Sequence, residues 1–187
     1  MPRQPGFTLI ELMMVVLVMG LGLTLVTLAL NQGGSSQARD EAEEFIRRAE
    51  FAAEQSLLTT QIMGLFVEPR SQANSLHDRW CYSWQRWRNY AWEPIEVLAE
   101  YCLPESLQLE LVVETETWTY DAKRSPQPPV LVFQPSGEST RLELAIAESD
   151  LLGGGDPDQV QRVEIDMLGQ IRWLNREAEL AQSQRSQ

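Results

Sequence analysis

The chain is poor in the residues that metal and catalytic sites draw on. It has one histidine, His77, and two cysteines, Cys81 and Cys102, among 187 residues. A zinc site takes closely spaced nitrogen and sulfur ligands, and with no Cys-x-x-Cys pair neither cysteine fits one. Base is scarce against acid: 15 Lys and Arg stand against 27 Asp and Glu, a formal charge of -12. Phosphate binding needs clustered cations, so this balance argues against nucleic acid as the main partner. An acidic surface instead gives solubility and steers basic patches of partner proteins. No nucleophile elbow appears, nor a base with an orienting acid, and Ser136 before Gly137 has turn chemistry. These gaps point away from an enzyme and from any metal or cofactor.

Charge is missing altogether from Leu12 to Leu30. At about 1.5 Å rise per helical residue, roughly 19 such residues can span a bilayer core. A secretory signal peptide places several basic residues first, then a shorter apolar core, then a small-residue cleavage site beyond it. Here the order is inverted. Gly6 lies before the apolar run, so cleavage there leaves the hydrophobic helix on the mature protein. Arg3 on the near side favours a cytoplasmic start and an exported C-terminal part.

Glu11 lies at the start of this apolar run, and an ionised carboxylate in hydrocarbon costs on the order of a few kcal/mol unless something neutralises it. If the chain is cut after Gly6, the new α-amine of Phe7 is one helical turn away, and the equivalent amine of a neighbouring subunit is a second partner. The alternatives are self-pairing or a carboxyl near the headgroups that takes up a proton.

The run Gly6-Phe-Thr-Leu-Ile-Glu11 followed by an apolar helix resembles, at every position, the N-terminal signature of the type IV pilin and type II secretion pseudopilin superfamily. The resemblance implies cleavage between Gly6 and Phe7 by a prepilin peptidase, N-methylation of Phe7, and contact between Glu11 and a neighbour's N-terminus during assembly.

Beyond the apolar run, Gly33 and Gly34 weaken helix where the chain leaves the membrane. Gly20 and Gly22 allow close helix packing or soften the helix. From Ala38 to about Leu58, Ala42, Phe45, Ile46, Ala49, Ala52, Ala53 and Leu57 recur at three- and four-residue spacing, which predicts an amphipathic helix with one covered face. Glu43 with Arg47, and Glu44 with Arg48, are expected i,i+4 pairs on the solvated face. Phe51 falls off the stripe, as a rim residue or a contact with an adjacent subunit.

After Thr60 the periodicity shortens towards two. Strands are expected at 62–67, 107–113, 130–133, 142–147, 160–167 and 171–174, broken by Pro69, Pro104, Pro126 to Pro129, Gly137 and Gly169. Trp80, Trp84, Trp87 and Trp92 form an aromatic cluster interleaved with Arg79, Arg86 and Arg88. Such a pattern suits either a stacking platform for nucleic acid or core and interface packing, and the overall charge favours packing. Cys81 and Cys102 fall in the exported part, either joined, which stabilises by roughly 3 kcal/mol in the chain-entropy model, or as two buried thiols. Asp156 and Asp158 offer too few oxygens for calcium and suggest a solvated loop. The polar tail from Asn175 ends as a frayed helix or disorder.

Met63-Gly-Leu65, Cys81 to Pro94, Leu103-Pro-Glu-Ser-Leu107, Val130 to Gly137 leading into Leu142-Glu-Leu144, and Val163 to Ile171 together resemble, by their order, the H-type minor pseudopilins of type II secretion. The fold this implies is α+β and pilin-like, a long N-terminal helix packed on an antiparallel β-sandwich-like domain. It divides the chain into a leader (1–6), a membrane and assembly helix (7–30), its periplasmic continuation (31–58), a β-rich domain (59–175) and a polar tail (176–187). The implied protein is a single-pass inner-membrane subunit with its domain in the periplasm, built into the pseudopilus at or near the tip. The implied partners are the I, J and K minor pseudopilins, the major G pseudopilin, the assembly platform and the prepilin peptidase. A minor pilin of a type IV pilus is the alternative. Some of those bind DNA through C-terminal basic residues; this chain departs from that, since Arg172 is the only base between Gly169 and Asn175 and the tail beyond alternates acid and base.

Overall fold

The computed structural model describes residues 13–14, 37–71, 78–148, 151–152 and 159–185. Gly6, Phe7, Glu11, Gly20, Gly22, the Gly33-Gly34 pair, His77 and the 153–158 loop lie outside the described residues. No helix among the described residues is long and apolar enough to cross a membrane.

Residues 37–59 form helix α1, a stretch with no glycine or proline. Its buried positions are Ala38, Ala42, Phe45, Ala49, Ala52 and Ser56, alternating steps of four and three that keep one stripe towards the core. Five small side chains in that stripe let the helix axis lie close to the sheets beneath. Leu57, expected on the stripe, is 54% exposed, because the next four-residue step from Ala52 lands on Ser56. The Ser56 hydroxyl donates to the Gln61 carbonyl (2.8 Å) and also lies 3.1 Å from the Phe133 carbonyl, so the polar group is buried at little cost. Phe51 is half-buried against the core cluster, on the rim of the stripe. The helix ends at Thr60, whose φ of 54° is left-handed.

Among the described residues ten strands follow, all paired antiparallel, in two five-stranded sheets. The first runs β3 (Ala91–Pro94), β2 (Arg79–Arg88), β1 (Met63–Arg70), β7 (Leu131–Phe133), with the short β4 (Tyr101–Cys102) also on β2. The second runs β10 (Ile171–Trp173), β9 (Gln161–Ile165), β8 (Leu142–Glu148), β5 (Leu107–Val113), β6 (Glu116–Thr117). A single turn of 3-10 helix, Glu96–Leu98, links β3 to β4, and a second helix, α2, spans Leu174–Arg185. One core cluster joins α1 to both sheets: Phe45 and Ala49 from the helix, Leu65, Trp84 and Leu131 from the first sheet, Leu111, Leu142 and Ile165 from the second.

The alternating strands read from the sequence correspond to β1, β5, β7, β8, β9 and β10. The pair β2 and β3 was hidden, because bulky aromatic residues occupy both faces of β2. Even-numbered Tyr82 and Trp84 face the core, while Trp87 lies on the opposite face against Trp92. Asn89 and Tyr90, with φ of 51° and 60°, make the two-residue turn between the two strands.

Candidate assembly surface

The exposed flank of α1 meets the first sheet at β4. Glu44 holds both Arg47 and Arg48, so the expected Glu43–Arg47 pair is replaced. Glu44 borders the buried stripe with both guanidinium groups one turn further on, whereas Glu43 points to solvent. Burial pushes the Glu44 carboxyl up, and the hydrogen bonds from the two arginines outweigh it, holding it below the usual carboxylate range. Arg48 also donates to the Ala99 carbonyl at 2.9 Å and lies 4.7 Å from the centre of the Tyr101 ring. Arg48 thus carries the Glu44 pair onto the Tyr101 side chain of β4.

Tyr101 donates its hydroxyl to Glu41. Its own titration is pushed up to about 12, by burial first and then by that hydrogen bond. Glu41 is raised above its ordinary value, chiefly by desolvation, and its second carboxylate oxygen is buried without a partner. Tyr82, beneath Phe45, is likewise raised by burial, and its hydroxyl has no partner. The helix is therefore seated on the sheet through a tyrosine pair whose ring centres are 5.5 Å apart.

Cys81 and Cys102 are directly opposite in the β2–β4 register and are joined as a disulfide. The bridge ties the two-residue strand β4, which is too short to hold itself by ladder bonds alone, and so fixes Tyr101 under α1. Arg79 adds bonds to the carbonyls of Leu103 (3.0 Å) and Cys102 (3.3 Å).

The tryptophans do not form one platform. Trp84 is buried and stacks on Phe133 at 5.7 Å with 11° between planes. Trp80 meets Trp118 edge-on and donates to the Gln108 side chain at 3.0 Å. Trp87 and Trp92 pair edge-to-face on the other side of the sheet, with Phe66 against Trp92. Arg86 is engaged by Glu93. Packing, not a stacking surface for bases, accounts for this cluster. Ser136 sits in the turn before Gly137, whose φ of 92° the turn requires, with Glu138 its side-chain neighbour at 3.4 Å.

At the other end of α1, Arg39 reaches α2. Its guanidinium makes two parallel bonds to Glu179 and lies 5.5 Å from the Trp173 ring centre. Neither this contact nor the Glu41–Tyr101 bond was foreseeable, since nothing local in the sequence couples residues 140 and 60 positions apart.

The first 27 residues match a family model described as the prokaryotic N-terminal methylation motif. A type II secretion system protein H from Pectobacterium carotovorum subsp. carotovorum is 30% identical over 162 residues, covering 77% of this chain and 81% of that protein. The chain belongs to the H-type minor pseudopilins of type II secretion. Another pseudopilin H, from Aeromonas hydrophila, is 27% identical over 95% of this chain and 97% of its own. Two solved structures of the minor pseudopilin EpsH from Vibrio cholerae share the fold, with TM-scores of 0.58 and 0.56 at 20% and 21% identity, each covering about three quarters of this chain. In this chain the seam of Glu41, Glu44, Arg48 and Tyr101 adds polar contacts to the apolar core that holds α1 on its domain.

Proposed function

We propose that this minor pseudopilin is a non-catalytic structural subunit, anchored in the inner membrane by residues 7–30 with its folded domain in the periplasm, and incorporated at or near the pseudopilus tip. Prepilin peptidase would cut after Gly6 and methylate the new amine of Phe7, leaving Glu11 to pair with a neighbour's N-terminus. The neighbours would be the I, J and K minor pseudopilins and the major G pseudopilin, on the inner-membrane assembly platform. The observation that carries this reading is the methylation motif on residues 1–27 in a chain that aligns over four fifths of a curated pseudopilin H. Physically, an apolar segment that precedes α1 can leave the bilayer for a filament while the seam and core keep α1 seated on the domain.

The test is secretion by a strain that lacks the chain, against its parent and a complemented strain. Loss of exoproteins from the supernatant, with their accumulation in the periplasm, supports the reading. Unchanged secretion with loss of pili or DNA uptake overturns it in favour of a type IV pilus subunit. Glu11→Ala should leave membrane insertion intact and impair incorporation; normal incorporation of that variant defeats the pairing role.

A further inference from the structure

The face of the first sheet opposite the core carries a cleft of about 700 Å³, walled by the β2–β3 hairpin on one side and the 120–127 loop on the other. That volume is in the range of ligand sites, and the lining is aromatic: Phe66, Trp87, Tyr90, Trp92 and Tyr120. Gly64 lets the Trp92 ring lie down over β1, since a Cβ there would stand 2.7 Å from it. Tyr90 is 94% exposed, at a φ of 60° that suits glycine or asparagine. Neither packing nor backbone preference accounts for a tyrosine there, and such strain points to a side chain held for use.

The polar groups left over in the cleft are donors. Trp80 and Trp173 each give their indole N–H to a glutamine, whereas those of Trp87 and Trp92 have no acceptor among the described residues. The Arg124 guanidinium in the lining and the ammonium of its neighbour Lys123 are likewise without a partner among the described residues. The one acid in the lining, Glu68, is held by Arg70 at 3.2 Å. In a chain of charge -12, a donor-rich site with an unpaired cation is complementary to an acidic, acceptor-rich ligand.

The backbone beside the cleft selects a polypeptide. β3 is the last strand of its sheet, and a two-residue turn sets Arg88 opposite Ala91 and Trp87 opposite Trp92. In such a hairpin the pair next to the turn exchanges its bonds and the following pair does not, so the Trp92 N–H and C=O point to the open edge. Trp87 has the matching phase, its N–H donating away from β3 to the Ile62 carbonyl at 2.8 Å. Pro94 ends the edge after a few residues, which favours a short guest over continued sheet growth.

We infer that this cleft receives an extended acidic segment of a partner polypeptide. The segment pairs with the Trp92 backbone, sets a carboxylate on Arg124 and lays alternate apolar side chains among Trp87, Tyr90 and Tyr120. The inference goes beyond the pseudopilin reading and does not depend on it.

The test uses the full-length chain in detergent micelles and a phage-displayed library of random dodecapeptides. Enriched peptides should carry Asp or Glu beside an aromatic or branched side chain. A labelled synthetic copy should lose affinity at least about tenfold with Arg124→Glu, read by fluorescence anisotropy. Arg162→Glu makes the same change of charge at an exposed position on the second sheet and should leave binding as it is. Tyr90→Gly should weaken binding while raising the unfolding temperature, a combination that damage to the fold does not produce. Methylating the peptide's backbone nitrogens one at a time should abolish binding at the residue facing Trp92 and not at its neighbours. Enrichment without an acidic bias, equal losses for Arg124→Glu and Arg162→Glu, or binding indifferent to Tyr90→Gly would overturn the assignment. So would binding of chitohexaose in the cleft with no peptide enriched, which would give the site to a glycan.

Discussion

Arg39 in the first turn of α1 and Glu179 in α2 are joined by two parallel hydrogen bonds of 3.1 and 3.2 Å across 140 residues of sequence. α2 has no buried residue; this pair ties it to the start of α1, the Arg39–Trp173 contact ties the preceding strand β10 to the same residue, and Asn175 bonds α2 to Val160 and Arg162. Both side chains are about half exposed, which limits the ion pair to roughly 0.2–1 kcal/mol. Arg39 makes the second contact as well, worth about another 0.5–1 kcal/mol. Arg39→Ala should therefore destabilise more than Glu179→Ala, and a double-mutant cycle on thermal unfolding should leave a residual Arg39 effect in the Glu179→Ala background. Equal effects would mean that the ring contact contributes nothing.

The β2–β3 turn stores strain at Tyr90. A φ of 60° is costly for a residue with a Cβ, by about 1–2 kcal/mol, and Asn89 before it already suits the left-handed region. Tyr90 is 94% exposed, so little packing offsets the cost. Tyr90→Gly should raise stability by about 1 kcal/mol in denaturant unfolding without altering the fold.

Gly64 makes the opposite case on the neighbouring strand. A Cβ there would stand 2.7 and 2.8 Å from the Trp92 ring and 3.1 Å from Pro129. Gly64→Ala should cost about 1–3 kcal/mol as overpacking, although alanine is no worse a strand former. In a Trp92→Leu background the penalty should shrink, and an undiminished penalty would place its origin in the backbone.

How much was legible in the sequence follows from which forces are local. The α1 stripe, the alternation of β5 and β8 and the turns at Gly137 and Gly169 are written in spacing and residue type, and each is present. Leu57 was misplaced because a three-residue and a four-residue step fit the pattern equally well until Ser56 finds two carbonyls to bind. β2 was obscured because tryptophan serves both faces, and a period of two vanishes when both faces are aromatic. Glu43 lost Arg47 to Glu44 because burial favours the carboxylate that borders the core. The seam at Tyr101 depends on a contact between residues 60 apart, and no spacing rule reaches that far. The apolar run from Leu12 to Leu30 is the reverse: plain in the sequence, it lies outside the described residues apart from Met13 and Met14.

Glu41 and Glu44, one turn apart on α1, should give the protein opposite responses to pH. Glu41 is raised by desolvation, so its folded form prefers the proton. The stability it contributes is present below the ordinary carboxylate value and is lost as pH rises through its higher folded value. Glu44 is held down by Arg47 and Arg48, so its contribution is present above the ordinary value and is lost as pH falls through its lower folded value. Glu41→Gln keeps a carbonyl to accept from Tyr101 while removing the buried charge. It should raise the unfolding temperature at pH 7 and change it little at pH 4. Glu44→Gln should lower it at pH 7, with a smaller loss at acid pH. Unfolding temperatures of both variants and the parent, measured from pH 4 to 7, decide the matter: parallel curves would remove both carboxyls from the pH dependence of the seam.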